Sequence, residues 1–316
     1  MKLQIMIKID VLKYDDLPII EDLDIRHSWG VFDPSLGTLE LLTPECVKRG
    51  VSQVRSGEVL SLNVPIGQFD PPLFNRASLR SEFIESARNT FEDVLHNFNP
   101  QSTSQWDGLA HIRAREFGFY SGIVDINEAR SVLGIHHSSN KGIVSRGLLI
   151  DVASWREQNG QPLDPFSSEV IEVAEIEAIM LAKNLLPVQG DILCIRTGWI
   201  REYNSEKNSG ANMSGAGTTF VGLASHHDMA RFLWNNGFAA ICSDNPAIES
   251  APGDPKNGSL HRRLIPGLGF SLAELLNFEN LAVKCSERSS WEFLFTAAPI
   301  ALVGGASSTA NALAII

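Results

Sequence analysis

The chain has 316 residues, 44% of them hydrophobic, with mean hydropathy near zero, which describes an ordinary globular protein of one large domain or two small ones. Its net charge of −11 and isoelectric point near 5.2 argue against nucleic acid or an anionic membrane as partner. No apolar run is long enough to span a bilayer. The four cysteines (46, 194, 242, 285) form no C-x-x-C pair, which excludes a thiolate zinc site and suggests a reducing, cytoplasmic setting. The N-terminus, M-K-L-Q-I-M-I-K-I-D, is too short and too charged for a signal peptide.

Taken in order, Thr43-Pro44-Glu45 predicts a helix start, with Thr43 as N-cap and a helix to about Ser52. Val59–Val64 alternates as a strand does, and Pro65 and Pro71-Pro72 then break the chain. Arg80–Leu95 reads as an amphipathic stretch ending before Asn97-Phe98-Asn99-Pro100. Ile143–Val152 is an apolar strand closed by Asp151. Glu169–Asn184 is the clearest helix, with apolar residues three and four apart and Pro187 behind it. Gly190-Asp191 launches a buried strand ending at Thr197-Gly198-Trp199. Residues 201–218, polar and Gly/Asn/Ser-rich, read as a long mobile loop, a lid over a site. Ser225–Asn235 reads as a helix, Ala239–Cys242 as a buried strand, and Phe293–Val303 as a further strand. Strands alternating with helices, without a repeat or a long linker, predict a single α/β domain over 1–316.

The chemistry concentrates at Gln101–Tyr120, Q-S-T-S-Q-W-D-G-L-A-H-I-R-A-R-E-F-G-F-Y. Asp107 and His111 stand four residues apart, after the amides of Gln101 and Gln105, in a stretch whose Gly, Ser and Thr predict a tight turn. Such a turn suits a metal or acid/base site. Trp106, Phe119 and Tyr120 crowd the motif and predict an aromatic-walled pocket.

This stretch resembles a variant of the H-x-G-T-H-x-D-x-P-x-H signature of the cyclase family, which includes kynurenine formamidase and isatin hydrolase. Gln101 and Gln105 take the places of the first and second His, Thr103 that of the Gly and Ser104 that of the Thr. Asp107 matches the Asp, Leu109 replaces the Pro, and His111 matches the last His. The S-Q-W-D-G-L-x-H form is similar to one cyclase subgroup. The G-T-L-E-L-L-T-P, R-G-L-L-I-D-V and G-D-I-L-C-I-R-T-G-W segments resemble that subgroup too, so the likeness spans nearly the whole chain.

The resemblance implies the swivelling β/β/α fold, a homodimer, and metal ligands downstream. H-R-R-L-I-P-G-L-G-F-S-L-A-E-L resembles the family's second ligand segment, and His261 and Glu274 are carried over as ligands on it. With both motif histidines replaced by glutamine, the expected site holds one divalent ion, zinc or manganese, with magnesium also compatible with oxygen-rich ligation. Its ligands are Asp107, His261 and Glu274, with Gln105 a candidate fourth. His111 matches the family's general base and could instead serve as a ligand.

The implied reaction is opening of an amide, lactam, lactone or ester of a small, aromatic or polyketide-like substrate by metal-activated water. The same groups also suit a cyclase or lyase, and loss of both motif histidines also suits a metal-free binding protein. His226-His227-Asp228 reads as a solvated helix cap, and His136-His137 as a polar turn. Asp244 and Glu249 flank a proline turn with no evident partner. No G-x-S-x-G elbow is present, which disfavours a serine hydrolase.

Overall fold

The structure is a computed structural model and describes residues 10–316. The N-terminal segment weighed above as a signal peptide lies, up to residue 9, outside the described residues.

Nine strands form one mixed sheet: β1 (Val59–Ser61), β2 (Gln105–Asp107), β3 (Ile143–Asp151), β4 (Ile192–Arg196), β5 (Ala240–Ser243), β6 (Ser271–Glu274), β7 (Glu292–Ala297), β8 (Ser307–Thr309) and β9 (Ala312–Ile315). The spatial order is β8-β2-β6-β5-β4-β3-β7-β9-β1. β3 to β6 run parallel at the centre, and every other pairing is antiparallel. The parallel centre is apolar on both faces, as helix-covered strands must be. Ile192, Leu193, Cys194 and Ala240, Ile241, Cys242 are all fully buried. All four cysteines are free and buried.

The helix at Pro44–Val51 forms as predicted, although Thr43 contributes no side-chain cap. Three other expectations need correction. Arg80–Leu95 is a β-hairpin, Arg80–Ala87 against Thr90–His96, paired only with itself. Asn89, at φ +60°, supplies the left-handed residue a tight turn needs, and Phe83 stacks on Phe91 across the ladder at 5.0 Å. The helix read from Glu169 begins only at Val173, because Val170 and Ile171 pair with Gly222 and Leu223.

The third correction concerns the expected lid. Its first half is a helix, Trp199–Asn208, that buries Trp199, Ile200 and Tyr203 on one face. The Trp199 ring stacks on Tyr203 at 5.1 Å and sits 5.9 Å from Phe69. A polar outer face hid this amphipathic helix behind a loop-like composition. Trp199→Ala is expected to cost about 3–5 kcal/mol of stability, read by denaturant unfolding.

Candidate metal centre

The site is built on the antiparallel pair β2–β6. Register sets Gln105 opposite Glu274 and Asp107 opposite Leu272. Strand pleat places Gln105 and Asp107 on one face and Trp106 on the other. Gln105 and Glu274 meet directly, with Gln105 Nε2 donating to Glu274 Oε2 at 2.6 Å. The motif is therefore a short strand followed by a turn, not a turn throughout. His111 N donates to Gly108 O at 3.0 Å, which folds His111 back beside Asp107, its Nε2 3.3 Å from Asp107 Oδ2. Gly108 suits this close approach, because a Cβ would lie 3.0 Å from Ile135 Cδ1 and 3.1 Å from Ala306 O, so those neighbours would have to give way slightly.

The downstream half arrives through one helical turn, Leu260–Arg262, and a π-helical turn over Arg263–Leu268 that leads into β6. His261 and Glu274, thirteen residues apart, meet with Nε2 2.9 Å from Oε1. His261 Nε2 is also 3.9 Å from Asp107 Oδ2. Donor atoms of Asp107, His261 and Glu274 all lie within 4.8 Å of one another.

Gln101 and Gln105 divide their tasks. Gln101 Nε2 donates to Asp107 Oδ1 at 2.8 Å and lies 3.3 Å from His111 Nδ1, so it orients both side chains. Gln105 Oε1 is buried and has no hydrogen-bond partner among the described residues. Three convergent donors and an unsatisfied amide oxygen on a side chain that contacts one of them, Glu274, fit a divalent ion.

Sequence reading gave Glu249 no partner, yet its carboxylate stands against His261. Glu249 Oε1 is 3.0 Å from His261 Nδ1 and accepts from Ser259 Oγ at 3.0 Å, while Oε2 takes the N–H of Leu260. The link joins residues that flank the loop 251–259, and only the folded chain reveals it.

The aromatic expectation is corrected. Trp106 is fully buried on the far face, its indole N–H bonded to Ala310 O and its ring edge-on to Phe295. Tyr120 is fully buried, its hydroxyl 3.2 Å from Ser28 Oγ, and burial pushes that phenol up to about 12. Phe119 packs with Tyr120, Leu109 and Leu133 in a separate apolar cluster. All three are core side chains, because neighbours in sequence face opposite ways on a strand or leave with the following loop. Among the weaker signals, His226 and His227 pair with Glu172 and Asp24, and the fully buried Asp244 accepts the N–H groups of Thr197 and Gly198.

Burial pushes Glu274 up to about 7, aided by the charge of Asp107 and opposed by His261. Burial works against protonation of His261, but its hydrogen bonds to and charge attraction by Glu249 and Glu274 together raise it well above its ordinary value. Both groups thus hold protons more tightly folded than unfolded. The stability they contribute is complete below the unfolded value and lost as pH rises through the folded one. The metal-free protein should therefore melt at progressively lower temperature as pH rises from about 5 to 8. Zinc affinity should climb over the same interval, about tenfold per pH unit for each proton displaced. Calorimetry at several pH values measures both.

A family model described as "Putative cyclase" matches residues 39–250. Among solved structures, one described as a novel cyclase is 23% identical, with TM-score 0.79, over 92% of this chain and 99% of that one. An isatin hydrolase bound to the product analogue thioisatinate is 14% identical, with TM-score 0.57, over 87% of this chain and 99% of that one. Isatin hydrolase A from Labrenzia aggregata, bound to benzyl benzoate, is 14% identical, with TM-score 0.56, over 84% of this chain and 97% of that one. These likenesses bear out the α/β fold expected from the sequence. No curated protein matches the chain. The family match covers most of the chain, including β2 with Gln105, Asp107 and the following turn to His111, and the chain belongs to the cyclase family.

Proposed function

We propose that this protein is a metal-dependent hydrolase that opens an amide, lactam, lactone or ester bond of a small substrate. The observation that carries the reading is the convergence of Asp107, His261 and Glu274, with the Gln105 amide against Glu274 and His111 beside Asp107. Asp107, His261, Glu274 and Gln105 would hold one divalent ion, zinc or manganese, and such an ion lowers the pKa of water and polarises a carbonyl. Gln101 already spends its N–H on Asp107 Oδ1, which favours one ion over two.

His111 supplies the proton chemistry. Burial pushes its pKa down, against the pull of Asp107, so the ring is neutral near pH 7 and able to accept a proton. Asp107 lies 3.3 Å from Nε2, and Gln101 Nε2 stands 3.3 Å from Nδ1 and 3.5 Å from Nε2, so both bear on the orientation of the ring. In the reaction the water oxygen bonds to the acyl carbon, and the bond to nitrogen or oxygen breaks. His111 takes the water proton and returns it to the leaving group.

Two experiments test this. Reaction in ¹⁸O-water should place label in the product carboxylate, whereas a ring-closing or dehydrating enzyme would leave it unlabelled. His111→Asn should retain the metal and lose about 10²–10⁴-fold in kcat, the range expected for a general base. A variant that kept its activity, or lost its metal, would remove His111 from that role. A protein that binds no divalent ion at all would be a metal-free binding protein instead.

A further inference from the structure

We propose that Arg76 is the anion-binding residue of this site, so the group recognised beside the metal ligands is a carboxylate. The proposal rests on the hydrolytic reading above, because hydrolysis of an acyl bond leaves a carboxylate. Sequence reading did not single out Arg76.

Its position is built by a sharp turn. Leu73–Asn75 is one 3₁₀ turn in which Phe74 and Asn75 take left-handed φ values of +60° and +56°. Arg76 leaves that turn and donates from Nη1 to the backbone oxygen of Gln101 at 2.5 Å. The side chain of the same Gln101 donates to Asp107 Oδ1 at 2.8 Å. The guanidinium is therefore tied to the residue that touches both Asp107 and His111. The Phe74 ring lies 5.0 Å from its Cζ and holds one face of the fork.

A guanidinium carries a fork of N–H donors and accepts nothing. The Gln101 carbonyl is the one hydrogen-bond acceptor found for that fork among the described residues. None of its remaining nitrogens is a buried orphan, so they stay open to an incoming oxygen. Burial weakens the charge, while Asp107 and Glu274 both act electrostatically to sustain it. A cation so placed offsets the carboxylates of Asp107 and Glu274 and offers two parallel donors to a planar anion. A lysine would supply the charge without that geometry. The alternative role is mechanical, a brace on the Gln101 carbonyl and nothing more.

The test uses benzoate and its uncharged counterpart benzamide, titrated calorimetrically into zinc-loaded wild type, Arg76→Gln and Arg76→Lys. Benzoate should bind wild type more tightly than benzamide does. Arg76→Gln should weaken benzoate tenfold or more, Arg76→Lys should recover part of that loss, and benzamide should bind all three alike. Equal benzoate affinity in wild type and Arg76→Gln would overturn the proposal. So would a wild type that prefers benzamide, or a parallel loss of both ligands in Arg76→Gln, which marks the brace. Zinc content of the same samples reports separately on the hydrolytic reading.

Discussion

Asp107→Asn should abolish stoichiometric metal binding while leaving the fold intact. Wild type, purified and dialysed against zinc, should retain about one equivalent, and the variant none, with affinity reduced about 100-fold or more. The physical ground is the central position of this carboxylate. Asp107 Oδ1 accepts from Gln101, and Oδ2 faces both His111 at 3.3 Å and His261 at 3.9 Å. An amide of the same shape fills the space but removes the anionic donor and presents an N–H where an acceptor is needed. His261→Ala should lose the metal as well, since among the described residues His261 is the one imidazole of the convergent donor set, its Nε2 2.9 Å from Glu274 Oε1.

The metal-free form adds a control. The charge of Asp107 helps raise the Glu274 pKa, so Asp107→Asn should bring that value down toward the ordinary carboxylate range. Metal-free Asp107→Asn should therefore melt no lower than metal-free wild type, and its melting temperature should depend less steeply on pH between about 5 and 7. A variant that unfolds at neutral pH would mean that Asp107 is a structural group. A variant that keeps full zinc content would place the ion elsewhere.

The sequence carried some of this and withheld the rest for physical reasons. Asp107 and His111 were legible because a turn closes their spacing locally, so no distant contact was needed. His261 and Glu274 were legible only through the family pattern, since a helical turn, a π-turn and a strand must all form before they meet. Trp106 misled because the facing of a side chain depends on strand pairing, and β2 is flanked by two distant strands, β6 and β8. The hairpin at 80–96 escaped because its apolar residues, Phe83, Ile84 and Phe91, are exposed and carry no burial period. The helix at Trp199–Asn208 escaped for the opposite reason, its buried face being only three residues wide. The central strands were clear because burial on both faces leaves a continuous apolar run.

Glu249 showed no partner in sequence, and its replacement gives the second large expected effect. In Glu249→Gln, zinc affinity should fall about 10–100-fold, the range typical for loss of an outer-shell partner of a metal-binding imidazole. The geometry assigns the cause. Glu249 Oε1 faces His261 Nδ1 at 3.0 Å, which holds the proton on Nδ1 and leaves Nε2 free toward Glu274 and Asp107. Its pKa lies below the ordinary value even though burial pushes the other way, because His261 and the N–H groups of Leu260 and His261 stabilise the anion. The same carboxylate accepts from Ser259 and Leu260, so it also fixes the turn that carries the imidazole. Glutamine offers one acceptor oxygen for contacts that Glu249 divides between two, and that oxygen is a weaker acceptor for the imidazole N–H. The metal-free variant should melt lower than metal-free wild type at pH values where His261 is protonated, because Glu249 no longer sustains that charge, while at higher pH ¹⁵N shifts of the neutral His261 should report a mixed tautomer. Alanine, which unties the turn as well, should lower both stability and zinc affinity. Unchanged zinc affinity in Glu249→Gln, with the wild-type tautomer retained, would restrict Glu249 to holding the turn.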